Sequence, residues 1–354
     1  MLDTFAHRLA LTAENLLERA ARLLPDDDRA AVLAPYRAYG TPSVFRLLTR
    51  VLRDPGDLNA DADQSTLDNL RDMIARFESD ELPGIEIEAT FGEATAQGIS
   101  DEEGYAAIEM APSPLDRTSE WHPVTLTTRN VDNGDPDKQA KQIVDVLVPY
   151  PDAQFGVLSD IDDTVLQTDA TSLIRMIRTT LTGNVHTRLA FEHVKELYAA
   201  LRQAAPGDAR NPFFYLSSSP WNLYDFIRDF LDLNGLPRGP ILLRDLGLDD
   251  TKILKTPHSE HKSEHLRAIL TTYPDLPFVL IGDSGQHDPE IYADAAREHP
   301  GRIKAVVIRD VSDDLRAEEV RKHAQELRAM DVPLVFCADS RDAIALLREE
   351  GVLD

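Results

Sequence analysis

Hydrophobic positions along this chain change their period twice. Phe5, Leu9, Leu16, Ala20 and Leu23 recur at helical spacing, and Pro25-Asp26-Asp27-Asp28 ends the run. Tyr36 to Gly40 then leads into Val44 to Leu52, a predicted strand. Ser65 to Phe77 reads as a second helix, with Leu67, Leu70, Ile74 and Phe77 inward. From Ile85 the period becomes two. Ile85, Ile87 and Ala89 alternate with Glu86, Glu88 and Thr90, and Asp101 to Gly104 form a turn before Tyr105 to Met110. Val124 and Leu126, then Val144, Val146 and Val148, continue the alternation. The pattern predicts an N-terminal helical segment over residues 1–40 and a small β-sandwich with a helical insert over 41–150.

After Pro151 the apolar runs shorten and lose their alternation. Runs at 155–159, 213–217, 240–243, 278–281, 303–308 and 333–337 are separated by amphipathic helical stretches. Fully apolar strands alternating with helices predict a parallel, doubly wound sheet over 151–354, so the fold class is α/β. Such sheets bind ligands at the carboxyl ends of their strands, near the point where strand order reverses.

Composition narrows the possibilities. The 354 residues suffice for about two domains. A net charge of -25 repels nucleic acid and anionic membranes at long range, so an anionic substrate has to be drawn in by local cations or a metal. The single cysteine, Cys337, excludes an intrachain disulfide and a cysteine-rich metal site; its apolar run predicts a buried, inert thiol. There is no basic-then-apolar leader and no apolar run of spanning length, and the expectation is a soluble, cytoplasmic protein.

Three of the predicted strands end in chemistry. Phe155 to Ser159 runs into Asp160-Ile161-Asp162-Asp163-Thr164, where Asp160 and Asp162, two apart, can face one crevice. The alternative, a solvated acidic turn, does not usually follow a fully apolar strand. Phe213 to Leu216 runs into Ser217-Ser218-Ser219-Pro220. There Pro220 is expected to open a helix and Ser219 to cap it, with Ser217 and Ser218 free to meet an anion. Phe278 to Ile281 runs into Gly282-Asp283, and Asp288 five residues later either caps a helix or partners a metal or lysine. Lys262 lies in the opening turn of a helix with inner face Leu266, Ile269 and Leu270, where the helix dipole disfavours a cation. Lys252 and Lys255 are its rivals. His258, His261 and His265 have helical spacing but lack an acid or cysteine to complete a zinc set.

The pattern Asp160-x-Asp162-x-Thr164 after a strand resembles the first motif of the haloacid dehalogenase-like phosphatases. Ser217, Lys262 and the Asp283/Asp288 pair follow in the order of that family's other motifs. Ser159 to Thr164 with Thr168, Tyr215 to Tyr224, and Ile281 to Tyr292 narrow the resemblance to the App1-type phosphatidate phosphatases, related to the lipin catalytic domain. Tyr36 to Gly40 and Arg50-Val51-Leu52 resemble that family's N-terminal segment, with Ala38 and Thr49 standing where it has glycine.

The resemblance implies a Rossmannoid sheet with a minimal cap and Mg²⁺-dependent hydrolysis of a phosphomonoester, phosphatidate in that family. Asp160 would be the nucleophile, Asp162 the acid and base, with Thr164 holding it, and Ser217 and Lys262 would contact the phosphoryl group. Asp160, Asp283 and the backbone carbonyl of Asp162 would hold Mg²⁺, with Asp288 beside them. Arg175, Arg178 and Arg188, after the first motif, are candidates for a headgroup. The other readings are a phosphatase for a soluble or protein phosphomonoester, and a non-enzymatic interaction protein on a phosphatase scaffold.

Overall fold

The computed structural model describes residues 31–53, 81–129, 139–161, 185–244, 258–311 and 314–354. The helices expected near residues 5–23 and 65–77 lie outside them. So do Asp162, Thr164, Arg175, Arg178, Lys252 and Lys255, and the side chain of Arg188.

The first sheet has eight strands: β1 (Ala31–Pro35), β2 (Ala38–Gly40), β3 (Phe45–Arg53), β4 (Glu86–Phe91), β5 (Ala94–Ile99), β6 (Tyr105–Met110), β7 (Trp121–Thr128) and β8 (Lys141–Leu147). It begins ten residues before the expected boundary, so Ala31–Gly40 are strand rather than part of a helical segment. β3 pairs β6 along one edge and β1, then β2, along the other. The register slips by one residue at Tyr36–Arg37. β2 continues to β8, β7, β4 and β5, which makes one sheet where two stacked sheets were expected. The sheet curls until its ends meet: a Cβ on Gly98 of β5 would lie 2.6 Å from Ile108 of β6. Ile87, Ala89, Ile108, Val124, Leu126, Val144 and Val146, all from the alternating runs, point inward and form one core.

The second sheet contains β9 (Gly156–Asp160), β10 (Phe213–Pro220), β11 (Ile241–Arg244), β12 (Phe278–Asp283), β13 (Ile303–Arg309) and β14 (Leu334–Cys337). All its pairings are parallel, in the order β11-β10-β9-β12-β13-β14. Helices cover both faces, which is why the strand sequences are apolar without alternation. Helices α1 (Val185–Gln203), α2 (Tyr224–Leu233) and α6 (Ser340–Glu349) bury Leu197, Leu201, Ile227, Leu231 and Leu347 against Val157, Phe213 and Val279. Helices α3 (His258–Thr272), α4 (Asp288–Glu298) and α5 (Asp314–Arg328) bury Leu266, Ile269, Tyr292 and Val320 against Leu158, Phe214 and Leu280. Strand order reverses between β9 and β12, and this opens a crevice at their carboxyl ends.

The two sheets share their cores. Tyr36, at the β1–β2 slip, packs on Trp221 and Tyr224 with ring centroids 4.4 and 4.7 Å away. Leu147 of β8 lies in the core of the parallel sheet. Arg202–Glu120 and Arg238–Asp145 ion pairs cross the same junction.

Candidate active site

Strand β9 carries Asp160 to the crevice. Its side chains alternate between the faces: Val157 and Ile161 enter the α1/α2 core, and Leu158 enters the α3/α4 core. Ser159 contacts the buried hydroxyl of Tyr198 on α1, so Asp160 takes the α3 side. On α3, Lys262 precedes Leu266, Ile269 and Leu270 on one stripe. Lys262 thus interrupts an apolar face that packs on the sheet, and its ammonium is carried straight to the strand tips. It lies in the helix's second turn, one turn further in than expected.

There the ammonium meets a cluster of acids. Lys262 Nζ is 2.8 Å from Asp160 Oδ1 and 2.9 Å from Asp288 Oδ1, and it donates at 2.9 Å to Gln286 Oε1. Asp160, Asp283 and Asp288 are fully buried and Lys262 nearly so. One carboxylate oxygen from each acid lies within 4.8 Å of the others. Among the described residues, three carboxylates and one ammonium gather in a region withdrawn from water, where each charge is costly unless paired. A divalent cation would offset the excess of acid, and a set of carboxylate oxygens is what a hard cation such as Mg²⁺ selects. The donor set therefore fits the metal.

The loop after β12 is shaped around these acids. Gly285 and Gln286 donate backbone N–H groups to Asp283 Oδ1 at 2.6 and 3.1 Å. Asp288 does not cap α4; the preceding residue is His287, and no side-chain cap forms. Instead Asp288 reaches inward, with Oδ1 on Lys262 and Oδ2 accepting from the backbone N–H of Asp283 at 3.2 Å. Of its sequence readings, the cap is not formed and the pairing with the lysine is. Gly282 makes room for it: a Cβ there would lie 2.4 Å from Asp288 Oδ2. Beneath the acids, the buried Tyr292 hydroxyl donates to Ile281 O at 2.9 Å. Burial, and then the negative field of Asp288, Asp160 and Asp283, push its pKa far up, so the phenol stays protonated.

Strand β10 brings Ser217 alongside. Leu216 is the register partner of Asp160, so Ser217 follows at the same edge, buried, and accepts from Ser219 N–H at 3.0 Å. Ser218 is half-buried beside it. The expected helix at Pro220 starts later. A 3-10 turn over Trp221–Leu223 intervenes, α2 opens at Tyr224, and Ser219 is not its cap.

Two other sequence candidates stand apart from this cluster. His261 and His265 pack edge to face, with ring centroids 4.3 Å apart, and among the described residues the possible metal group is made of Asp160, Asp283 and Asp288 instead. Cys337 is half-buried rather than buried; burial, with Asp342 and Asp339 nearby, pushes its thiol up to about 11, which leaves it unreactive. Gln286 was missed as a lysine partner, although it lies within the quoted motif. Tyr198, which contacts Ser159, carries no local signal in the sequence.

Fold and site together define an α/β protein with a buried acid–lysine centre at the reversal point of a parallel sheet. Residues 155–310 match the family model described as Phosphatidate phosphatase APP1, catalytic domain, so this segment is similar to that App1-type family. The chain is 30% identical over 205 residues to Phosphatidate phosphatase APP1 of Saccharomyces cerevisiae, covering 58% of this chain and 33% of that protein. It is 31% identical over 162 residues to an uncharacterised protein of Schizosaccharomyces pombe, covering 45% and 26%. The chain thus spans a third or less of the length of these relatives. A solved carbohydrate acetylesterase from Xanthomonas citri aligns at 12% identity and a TM-score of 0.25 over 84% of this chain and 75% of that one, too distant to inform the fold.

Proposed function

We propose that this chain is a haloacid dehalogenase-like, Mg²⁺-dependent phosphatase that hydrolyses phosphomonoesters through an aspartyl-phosphate on Asp160, with phosphatidate as its substrate class. The observation that carries the reading is Lys262, buried on an apolar helix face and bound to both Asp160 and Asp288. A lysine placed there neutralises charge between an anionic nucleophile and an anionic phosphoryl group. The phosphatidate assignment rests on the App1 match and the yeast relative.

In this mechanism a carboxylate oxygen of Asp160 attacks phosphorus, and the bond from phosphorus to the ester oxygen breaks. Asp162 gives its proton to the departing alkoxide. Asp162, now a carboxylate, takes a proton from water as that water attacks the phosphorus of the acyl phosphate, which releases phosphate and restores Asp160. Thr164 holds Asp162, and Ser217 and Ser218 bind phosphoryl oxygens. Asp160, Asp283 and the Asp162 carbonyl would hold the cation, which when bound offsets phosphoryl charge as a Lewis acid. Asp288 has both oxygens engaged and serves by fixing Lys262 and the Asp283 backbone.

The test is a screen of the full chain with Mg²⁺ against short-chain phosphatidate in detergent, soluble sugar phosphates and phosphopeptides. Turnover of phosphatidate, lost in Asp160→Asn and on chelation, is expected. Full activity of Asp160→Asn or of the chelated protein sinks the mechanism. Activity confined to soluble or peptide substrates removes the lipid assignment, and inactivity on all of them favours an interaction protein.

A further inference from the structure

Arg316 comes from α5, six residues beyond the segment that matches the App1 catalytic family. Its guanidinium is spread over the loop that carries the acids. Nε donates to Ser284 O at 2.9 Å, and one terminal nitrogen donates to Gln286 O and, at 2.9 Å, to Glu290 Oε2. The other terminal nitrogen meets Glu290 Oε1 at 2.5 Å and Glu319 Oε2 at 2.8 Å. These five contacts match the five N–H donors of an arginine in their fixed fork. Four of them fall on the seven residues from Ser284 to Glu290, binding strand end, loop and first turn of α4 into one piece.

Other anchors among the described residues hold the same turn: Ser284 is tied to Arg309 O and Val311 N, Asp283 accepts two N–H groups, Asp288 is held by Lys262 and the Asp283 N–H, and His287 O accepts from Ile291 N–H. Those two N–H groups belong to Gly285, whose peptide carbonyl, Ser284 O, is held by Arg316, and to Gln286, whose own carbonyl Arg316 also holds. Gln286 in turn offers its side-chain oxygen to Lys262.

We propose that Arg316 is a positioning residue of the acid–lysine centre: by holding the 284–290 turn, it sets where Asp283, Gln286 and Asp288 present their oxygens to Lys262 and to a bound divalent cation. The identity of the cation rests on the function proposed above; the positioning role does not. Lysine cannot replace Arg316, because three donors on one point charge cannot span two carbonyls and a bidentate carboxylate.

The experiment uses the full chain with Arg316→Gln, Arg316→Lys and, as a control at the far end of the same helix, Arg328→Gln. Amide hydrogen exchange at Gly285 and Gln286 is read first, without metal or substrate. Mg²⁺ affinity by calorimetry and kcat and KM on short-chain phosphatidate in detergent follow. Both Arg316 variants should exchange faster at those amides, lose about 10- to 100-fold in Mg²⁺ affinity and kcat, and change KM little. The control should match the wild type. In a further variant, Arg316→Ala, guanidinium ion added below unfolding concentrations should restore part of the kcat without raising the melting temperature. Unchanged exchange and Mg²⁺ affinity in folded Arg316→Gln, with only a lower melting temperature, would overturn the positioning role. If Arg316→Gln speeds exchange but the wild type neither binds Mg²⁺ nor hydrolyses any phosphomonoester, the role stands and the phosphatase reading falls.

Discussion

Single residues of the site differ in how far the sequence betrays them. Asp160 and Asp283 are legible because a fully apolar strand has no reason to end in a carboxylate unless something is bound there. Lys262 is legible as a break in an apolar stripe, and its closeness to Asp160 follows once α3 is laid on the sheet. Arg316 is not legible, since on a polar, charge-rich helix nothing local separates it from Arg321 or Arg328. Only long-range contacts do so. Gly282 falls between these cases: its place before Asp283 suggests close approach, and the structure shows that Asp288 is what approaches. Asp288 is held from both sides, by Lys262 and by Asp283 N–H, so it cannot yield to an added methyl group. Gly282→Ala should therefore leave the circular dichroism spectrum intact and lower kcat by about 100-fold, as a displacement of about 1 Å at a reacting centre does. Wild-type kcat in that variant would show that Asp288 has room to move.

At the scale of elements, all six parallel strands were legible, because burial on both faces leaves an apolar signal that survives without context. The helix after β10 was misread. Pro220 fits a helix start, but here it ends a strand whose register with β11 shifts between Leu216 and Pro220, a tertiary irregularity with no local mark. The curled first sheet was misread as a sandwich for a related reason: alternation gives the inward face of each strand and not the identity of its neighbour. Helix α6 offers a test of a single element. Asp339 caps it, its side chain accepting from Arg341 N–H at 2.9 Å, and Arg341 and then His193 face the carboxylate. The side-chain and backbone bonds from Arg341 hold its pKa down to about 2, against the ordinary 3.8. A depressed carboxylate stabilises the folded state above its unfolded pKa and loses that contribution as pH falls through the folded one. Asp339→Ala should cost about 1 kcal/mol near neutral pH, and the gap to the wild type should close between about pH 4 and pH 2. Urea titrations at a series of pH values read this directly; a gap independent of pH would mean that the cap's charge contributes nothing.

At the scale of the molecule, the two sheets share their cores. Tyr36, Leu147, Tyr39 and Trp121 of the first sheet complete cores that belong to the second. Removing residues 1–150 would bare Trp221, Tyr224 and Phe214, so the remainder should aggregate rather than act as a trimmed enzyme. Tyr36→Ala should cost about 3 kcal/mol and shift one unfolding transition rather than split it. Two calorimetric transitions in the intact chain would contradict the shared cores.

The charge of the chain as a whole bears on how it meets an anionic surface. Lysine and arginine number 37 against 62 aspartates and glutamates, a balance of -25. Among the described residues no helix is long and apolar enough to cross a membrane. If phosphatidate is the substrate, it is offered either dispersed in detergent or in a bilayer whose own charge is negative. The bilayer repels the protein over about a Debye length, near 10 Å at 0.1 M salt. We expect faster hydrolysis of phosphatidate in neutral mixed micelles than in anionic vesicles of the same phosphatidate content. The difference should shrink as salt is raised, because screening removes the repulsion and leaves the site's chemistry, which is buried and short-ranged, nearly untouched. Rates on micelles and vesicles across ionic strength, with vesicle sedimentation in parallel, make the comparison. Tight vesicle binding that ignores salt would show that a local surface overrides the global charge.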